Sequence, residues 1–381
     1  MNFGLSPEQR ELRSRVIEFA QSELSPISEA DDSNSRFARE NWLKCGEFGL
    51  LGGRVPRAFG GQSWDVVTNV VALEALGYAC RDNGFTLGVN ALVWTILEPI
   101  MAFGTEEQKR DLVPKLVSGE WVAGDCITEP EAGSDALNMQ TTAIKSEGDY
   151  ILNGEKQYIG FAPIADVLLV LAKTNPEMGS WGISAFLVKG DSEGVYRSPN
   201  KNKMGLRTLP SGSVTFSDCR VPESSRLGAE GVGLSMFNST MEWERSFILC
   251  SHIGAMERQL EECVEYARNR KQFGKSIGSF QSISNRVANM RLRLETCRLL
   301  LYKCAWLKQQ GESAALESAM ANLHASESML ESSLAAVRVF GGKGYQSEFG
   351  IERELRDAVG GVIYAGTSDI QRNLIARMLG L

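Results

Sequence analysis

The spacing of apolar residues changes twice along the 381-residue chain, and no other feature constrains the fold as strongly. Up to about residue 120, apolar positions recur at helical spacing, as at Val16, Phe19 and Ala20. From Trp121 to about residue 228 they alternate or form short β-rich runs, and from Gly231 onward long helical stripes return. This order predicts an α+β protein with helices at both ends and β-structure in the middle.

The same pattern predicts three domains, a number that the chain length also favours. They are an α-helical domain at 1–120, a small β-barrel or sandwich at 121–228 and a helix bundle at 229–381. The bundle is predicted from long helices at 234–270, 280–310 and 313–340 with short joints. A shorter helix is expected at 369–379.

Two short sequence motifs predict the positions of a helix start and of a turn. Ser6, Pro7 and Gln9 have the residue types of a helix start, with a capping hydroxyl, a proline in the first turn and an amide three residues after the cap. Asn153-Gly154 lies within a β-rich segment and predicts a tight hairpin turn there.

Composition excludes several classes of function. Asp and Glu number 47 against 40 Lys and Arg, and a net charge of −7 argues against non-specific nucleic-acid binding. We find no run of about 18–20 apolar residues and no signal peptide, so we expect no membrane span and a cytoplasmic protein. Eight scattered cysteines without a Cys-x-x-Cys pair, and only two histidines, predict a reduced interior and no metal site.

Glycines interrupt a helical pattern near the C-terminus. The segment reads VFGGKGY at 339–345 and IYAGTSDIQ at 363–371. Glycine lets a backbone approach a ligand closely, and the bare N–H groups at a helix start suit an anionic or polar ligand. From spacing alone, an ordinary glycine-rich connection between helices remains an alternative.

Two further motifs accompany this segment: CITEPEAGSD at 126–135 and RNRKQFGK at 268–275. Together the three resemble the signatures of the acyl-CoA dehydrogenase family of flavoproteins, in the family's order and spacing. The resemblance covers nearly the whole chain. It implies an N-terminal α-helical domain, a middle β-barrel domain, a C-terminal four-helix bundle, bound FAD and oxidation of an acyl thioester.

The resemblance also implies which residues hold the cofactor. Thr128 would meet the flavin ring, Ser134 a phosphate oxygen, and Tyr158 would pack on the flavin, whereas Gly160 replaces a threonine common in the family. Arg270 and Gln281 would reach the cofactor of a neighbouring subunit, which implies a homotetramer. The full set of expected cofactor residues is Ile127, Thr128, Gly133, Ser134, Tyr158, Gly160, Arg270, Gln272, Phe273, Gln281, Arg338, Gly341, Gly342 and Thr367.

The catalytic base is the main departure from the family, because Ala365 stands where a glutamate is common. Glu244 is the candidate replacement: Met241, Phe247 and Ile248 lie at i−3, i+3 and i+4 and place it on an apolar helix face. A minority of the family, including isovaleryl- and long-chain-type enzymes, carries its base at this helix position. Desolvation there is expected to raise the pKa of the carboxyl into the range of a general base.

The neighbours of Glu244 receive roles as well. Arg245 matches a family arginine near the substrate, and the backbone N–H of Ala365 would polarise the thioester together with a flavin hydroxyl. Glu242 lies off the apolar face and is expected to face solvent. The alternative for Glu244 is a surface glutamate paired with Arg245 or a lysine.

Three functions remain open. The combination of Ala365 and Glu244 resembles the branch that oxidises prolyl groups tethered to a carrier protein in natural-product pathways. A short- or branched-chain acyl-CoA dehydrogenase that reduces an electron-transfer flavoprotein is the second, and a non-catalytic flavin-binding homologue is the third. Oxygen is an alternative electron acceptor. A basic cluster of Lys201, Lys203 and Arg207 would either meet an acidic carrier or form a solvated loop.

Overall fold

The computed structural model describes residues 4–381, and its first part is helical. Ser6 caps the first helix as predicted: its side chain accepts from the Gln9 N–H, and the Gln9 side chain accepts from the Ser6 N–H. The helices are α1 (Pro7–Ser22), α2 (Glu29–Ser33), α3 (Arg39–Phe48), α4 (Val66–Ala79), α5 (Asn83–Ala91), α6 (Glu98–Phe103) and α7 (Glu106–Val117).

A π-helical turn, Leu92–Leu97, joins α5 to α6. The resulting stretch, Asn83–Phe103, is long and apolar enough to cross a membrane, and an 18-residue window within it has a mean hydropathy of 1.4. Polar residues such as Asn90, Thr95 and Glu98 interrupt the stretch, so it is not the unbroken apolar run that the sequence was expected to lack. Inside the protein 78% of that window is buried, so its apolar composition matches its place among the packed helices.

The middle of the chain forms one eight-stranded sheet. The strands are β1 (Ala123–Cys126), β2 (Thr142–Ser146), β3 (Asp149–Gly160), β4 (Val167–Lys173), β5 (Ile183–Lys189), β6 (Val195–Arg197), β7 (Ser211–Pro222) and β8 (Arg226–Leu227). They pair in the order β6-β7-β3-β2-β4-β5-β8, and β1 lies parallel to β4. The sheet has its own core, which includes Tyr150, Phe186 and Phe216.

The predicted turn at Asn153-Gly154 is wrong. Both residues lie inside β3, at a register shift against β7, and the β2–β3 turn is at Glu147 and Gly148, which have φ of 55° and 91°. Asn153 instead pairs with Asp218 on β7, through hydrogen bonds of 2.8 and 3.1 Å. The glycine is required by packing, because a Cβ at Gly154 would lie 2.5 Å from the Thr141 hydroxyl oxygen.

Long helices return after the sheet and pack into a bundle. The single helix predicted at 234–270 is broken into α8 (Gly233–Phe247) and α9 (Cys250–Asn269). A short hairpin, β9 (Lys271–Gln272) and β10 (Lys275–Ser276), follows α9. The remaining helices are α10 (Gln281–Gln309), α11 (Ala315–Phe340), α12 (Ile351–Gly361) and α13 (Ser368–Met378).

The start of α9 packs closely on α4. A Cβ at Gly77 on α4 would lie 1.8 Å from the Ser251 carbonyl oxygen, and one at Gly254 would lie 1.9 Å from the Glu74 carbonyl oxygen. The two backbones therefore touch just after the turn at Ile248 and Leu249 that separates α8 from α9.

Candidate active site

Glu244 lies on α8, opposite the π-helical turn. Met241, Phe247 and Ile248 are buried on the same side, as the helical spacing predicts. The Trp94 ring of the turn stacks on the Trp243 ring at a centroid distance of 5.9 Å and meets Phe247 at 4.6 Å. These contacts fix the helix face from which Glu244 projects.

The carboxyl of Glu244 is half-buried, and burial raises its pKa from 4.5 to about 7, although the Arg245 charge lowers it. The predicted rise of this pKa is thus present in the fold. Within residues 4–381 no hydrogen bond or ion pair holds this side chain. A carboxyl with a pKa near neutrality and an uncommitted oxygen is equipped to accept a proton.

Arg245 is also half-buried, and burial lowers its pKa. Its Nε is buried without a hydrogen-bond partner among the described residues. Because a buried donor without an acceptor is costly, this guanidinium is suited to a polar ligand atom.

Glu242 is not the solvent-facing residue that was expected. Its side chain is only 19% exposed and forms a 2.9 Å ion pair with Lys308. The same carboxylate accepts a 2.8 Å hydrogen bond from the Ala314 N–H at the start of α11. The helical wheel of α8 cannot reveal this pairing, because both partners come from other segments.

Ala365 lies in the turn before α13 and has a φ of 57°, in the left-handed region. Its backbone N–H has no acceptor within the described chain, while its carbonyl accepts a 2.9 Å hydrogen bond from the Gln371 amide. That amide also donates to the Gly366 carbonyl at 3.0 Å. The turn is therefore held from one side, and its free N–H is left for a ligand.

Nothing in the sequence indicated a role for Tyr364, which precedes Ala365 in this turn. Tyr364 interacts electrostatically with Glu244, and its hydroxyl lies 3.2 Å from His252 Nε2 on α9. Burial lowers the pKa of His252 to about 4, so this imidazole is neutral at physiological pH. Only the fold brings the 364–365 turn, α8 and α9 together.

A second group of predicted residues meets on the sheet. The Thr128 carbonyl accepts a 2.8 Å hydrogen bond from the Gln157 N–H, which brings 127–128 beside 158–160. Tyr158 has a φ of 60° at a register shift of β3, and its side chain is 80% exposed. A bulge of this kind aims a side chain away from the sheet.

The space around the glycines of this group is open. A Cβ at Gly133 would meet nothing within 4 Å, and one at Gly160 would meet only Leu209 at 3.9 Å. Ser134 beside Gly133 is exposed, and Ile127 and Thr128 are half-buried. The loop thus has room for a large ligand against its backbone.

A buried ion pair, also missed from sequence, supports this loop. Lys156 Nζ lies 2.8 Å from a Glu129 oxygen and 3.1 Å from the Ile127 carbonyl. Glu129 in turn accepts from the backbone N–H groups of Gln140 and Thr141, and these bonds lower its pKa alongside the Lys156 charge. The pair therefore fixes the path of the 127–141 segment.

The third group lies on the helix bundle, and all of its members except the half-buried Thr367 are exposed. Phe273 is 92% exposed at the tip of the β9–β10 hairpin, and Thr367 accepts from the Ile370 N–H at the start of α13. No hydrogen bond or ion pair within the described chain joins this group to the sheet group. Its exposed members are Arg270, Gln272, Phe273, Gln281, Arg338, Gly341 and Gly342.

Two of the three cations in the basic cluster, Lys203 and Arg207, make contacts within the chain. Lys203 donates to the Leu209 carbonyl, and burial lowers its pKa to about 8. Arg207 donates to the Lys203 carbonyl at 2.8 Å and lies 3.8 Å from Asp32. Of the three expected cations, only Lys201 is exposed.

Comparison of the sequence with known families gives three consecutive matches. The Acyl-CoA dehydrogenase N-terminal, middle and C-terminal domains match residues 6–120, 125–219 and 231–380. The chain belongs to the acyl-CoA dehydrogenase family. Together these matches cover most of the 381 residues, and the helix–sheet–helix order is that of the family.

Several members of the acyl-CoA dehydrogenase family are similar over their full lengths. An L-prolyl-[peptidyl-carrier protein] dehydrogenase of Pseudomonas fluorescens is 43% identical, with 100% of both chains covered. The crystal structure of the prolyl acyl carrier protein oxidase AnaB superposes with a TM-score of 0.98 at 44% identity, covering 99% of this chain and 100% of AnaB. A structure of PigA with FAD and proline gives 0.97 at 39% identity, covering all of both chains.

The residues present fit the flavin cofactor of the family. The exposed Tyr158 ring offers a surface for a planar ring system, and the open space at Gly133 and Gly160 accommodates it. Exposed Ser134 offers a donor for a phosphate oxygen.

Proposed function

We propose that this protein is an FAD-dependent dehydrogenase or oxidase of a prolyl group held as a thioester on a carrier protein, in a natural-product pathway. The observation that carries the proposal is the placement of Glu244. Its carboxyl has a pKa of about 7 and no partner within the described chain, while residue 365 is an alanine with a free N–H. Full-length similarity to a prolyl-carrier dehydrogenase and to AnaB supports the choice of substrate.

Glu244 is the proposed general base. Its carboxylate accepts the proton on the carbon next to the thioester, and the raised pKa makes it a stronger base than an exposed glutamate. The Ala365 N–H donates to the thioester oxygen, which gains negative charge as the proton leaves. The left-handed turn that presents this N–H is held by Gln371. Arg245 supplies a nearby positive charge.

The cofactor residues fall into two sets in this proposal. Ile127, Thr128, Gly133, Ser134, Tyr158, Gly160 and Thr367 hold FAD within the chain. Bound FAD supplies the acceptor for the hydride that leaves the carbon beyond the deprotonated one. The exposed set on the bundle, led by Arg270 and Gln281, holds the cofactor of a neighbouring subunit.

The proposal extends to assembly and location. Because Arg270 and Gln281 are exposed and make no ion pair within the described chain, they are free to contact a second subunit. A homotetramer satisfies this arrangement. We place the enzyme in the cytoplasm, with an electron-transfer flavoprotein or oxygen as the electron acceptor.

A panel of thioesters tests the proposed function. The purified flavoprotein is mixed anaerobically with prolyl-loaded carrier protein, with butyryl-CoA and with isovaleryl-CoA, and the flavin absorbance is followed. Rapid bleaching by the prolyl carrier alone supports the proposal. Bleaching by the acyl-CoAs alone would instead make the chain a conventional acyl-CoA dehydrogenase, and no bleaching by any of them would favour a non-catalytic flavin-binding homologue.

A further inference from the structure

Asp125 on β1 points out of the sheet toward the helices. Its neighbour Cys126 belongs to the core of the sheet, and a Cβ at Gly124 would lie 3.1 Å from the Gly160 carbonyl oxygen of β3. Ala123 and Ile127 instead pack on the larger core that the helices share. Because side chains alternate along a strand, Asp125 lies on the same face as Ala123 and Ile127.

That face of β1 lies on the side of the helices that carry the candidate active site. β1 packs against the π-helical turn Leu92–Leu97, which also packs against α8. The Asp125 charge interacts with the charge of Glu244, although the two residues are 119 positions apart in the sequence. The proposed base and this second carboxyl are therefore close enough for their charges to interact across the packing of β1, the π-helical turn and α8.

Asp125 has no committed partner in the part of the chain that the structure describes. No hydrogen bond or ion pair of its carboxylate is found there. The cation that interacts with it, Lys156, is already bound to Glu129 and to the Ile127 carbonyl. Burial, together with repulsion from Glu244, raises the pKa of Asp125 well above its usual range.

Two carboxyl groups in a half-buried site favour a ligand with one positive charge. A cation placed beside Asp125 stabilises both carboxylates, whereas an apolar chain leaves them unpaired and desolvated. The free N–H of Ala365 is a separate donor and is available to the thioester oxygen. Asp125 still requires a hydrogen-bond donor on the substrate near the reacting carbon. A plain hydrocarbon acyl group lacks such a donor.

We propose that Asp125 binds the ring nitrogen of the prolyl group and so selects an aminoacyl over a simple acyl thioester. This inference rests on the proposed function and adds a specificity-determining residue to it. The protonated secondary amine donates to the Asp125 carboxylate while Glu244 faces the adjacent carbon. A hydrocarbon ring of the same size provides no donor and leaves Asp125 unpaired, and a site built around such a hydrogen bond discriminates strongly against it.

The test compares two thioesters that differ in one ring atom. Carrier protein is loaded with a prolyl group or with a cyclopentanecarbonyl group, and flavin reduction in the holoenzyme is measured anaerobically for both. Wild type is expected to prefer the prolyl carrier by at least about 10²-fold in kcat/KM, and a site built to hydrogen-bond its substrate can reach about 10⁴-fold. Asp125→Asn is expected to reduce that preference by at least about tenfold, mainly by slowing the prolyl reaction.

Asp149→Asn is the matched control, since it removes a carboxylate from the same sheet at the exposed β2–β3 turn. Its substrate preference should equal that of wild type. The ratio of two rates on one enzyme sample does not depend on the fraction of protein that is active. If Asp125→Asn fails to retain FAD, Asp125→Glu is measured in the same way and should keep the preference for the prolyl carrier.

The outcomes separate this inference from the proposed function. Wild type that oxidises the prolyl carrier while Asp125→Asn keeps the full preference would overturn the role of Asp125 alone. Wild type that oxidises both rings with the same kcat/KM would also overturn the role of Asp125 alone. No reaction of wild type with the prolyl carrier would overturn the proposed function, and the inference with it.

Discussion

The Gln371 side-chain amide lies 2.9 Å from the Ala365 carbonyl oxygen and holds a left-handed alanine in place from six residues away. The left-handed conformation costs an alanine about 1–2 kcal/mol. The hydrogen bond from Gln371 offsets part of this cost. The bond therefore couples α13 to the backbone N–H that we assign to the thioester oxygen.

Gln371→Met is expected to weaken this turn. The substitution keeps the size of the side chain but removes the donor from two carbonyls, which should cost about 1–3 kcal/mol and lower the melting temperature by several degrees. Flavin reduction should slow by at least about tenfold because the Ala365 N–H is no longer held. Asn373→Leu removes an exposed amide from the same helix and should leave both quantities near wild type. An unchanged reduction rate in Gln371→Met would refute the coupling.

Tyr158→Gly is expected to separate folding from FAD binding. The ring is 80% exposed in a left-handed conformation, so the glycine should leave the stability of FAD-free protein within about 1 kcal/mol of wild type. FAD affinity should fall by about tenfold, because the aromatic contact is lost. Tyr196→Gly, at an exposed tyrosine of β6, is the control and should leave FAD affinity unchanged. Titration of apoprotein with FAD measures both, and an equal loss in the two variants would contradict a specific role for Tyr158.

The pH dependence of the reaction should follow Glu244. Since the base must be ionised and its pKa is about 7, kcat/KM should rise with pH and level off above neutrality. Stability should show the opposite trend: the folded-state pKa is raised from 4.5 to about 7, so this contribution to stability is present below pH 4.5 and is lost as pH rises to 7. Melting curves of Glu244→Gln should lack this decline. A kcat/KM that is flat between pH 5 and 8 would exclude Glu244 as the titrating base.

Arg270→Ala should lower FAD occupancy and weaken assembly together. If this exposed arginine contacts the cofactor of a neighbouring subunit, binding and association are linked by mass action. Light scattering gives the molecular mass and absorbance gives the FAD content of the same sample. Arg110→Ala, at an exposed arginine of α7, should change neither. A monomer that holds stoichiometric FAD would contradict the cross-subunit contact.

Sequence reasoning succeeded where the signal was local or repeated over many residues. The capping residues Ser6 and Gln9 and the apolar face around Glu244 were read correctly because each depends on spacing within one helix. Family membership was also predictable, because three motifs recur in a fixed order. Roles assigned to single residues by resemblance, such as those of Arg338 and Gly342, stay predictions.

Prediction from the sequence failed where residues of a distant segment determine the local structure. Asn153-Gly154 has the composition of a hairpin turn, but pairing of Asn153 with Asp218 and contact of Gly154 with Thr141 place it inside a strand. Glu242 was assigned to solvent because its partners, Lys308 and Ala314, are more than sixty residues away. The sequence does not single out Asp125, because it precedes the 126–135 motif and lies 119 positions from Glu244.

Glu244 is the proposed base that removes the proton next to a prolyl thioester. The most direct measurement is anaerobic stopped-flow reduction of the flavin in Glu244→Gln by prolyl-loaded carrier protein, beside wild type and Glu312→Gln, which changes an exposed glutamate. FAD content and melting temperature should stay close to wild type, because a neutral amide relieves the cost of a half-buried carboxyl. The rate of Glu244→Gln should be at least about 10²-fold below wild type, and the rate of Glu312→Gln should not change. A Glu244→Gln rate within a few-fold of wild type would remove Glu244 from the mechanism.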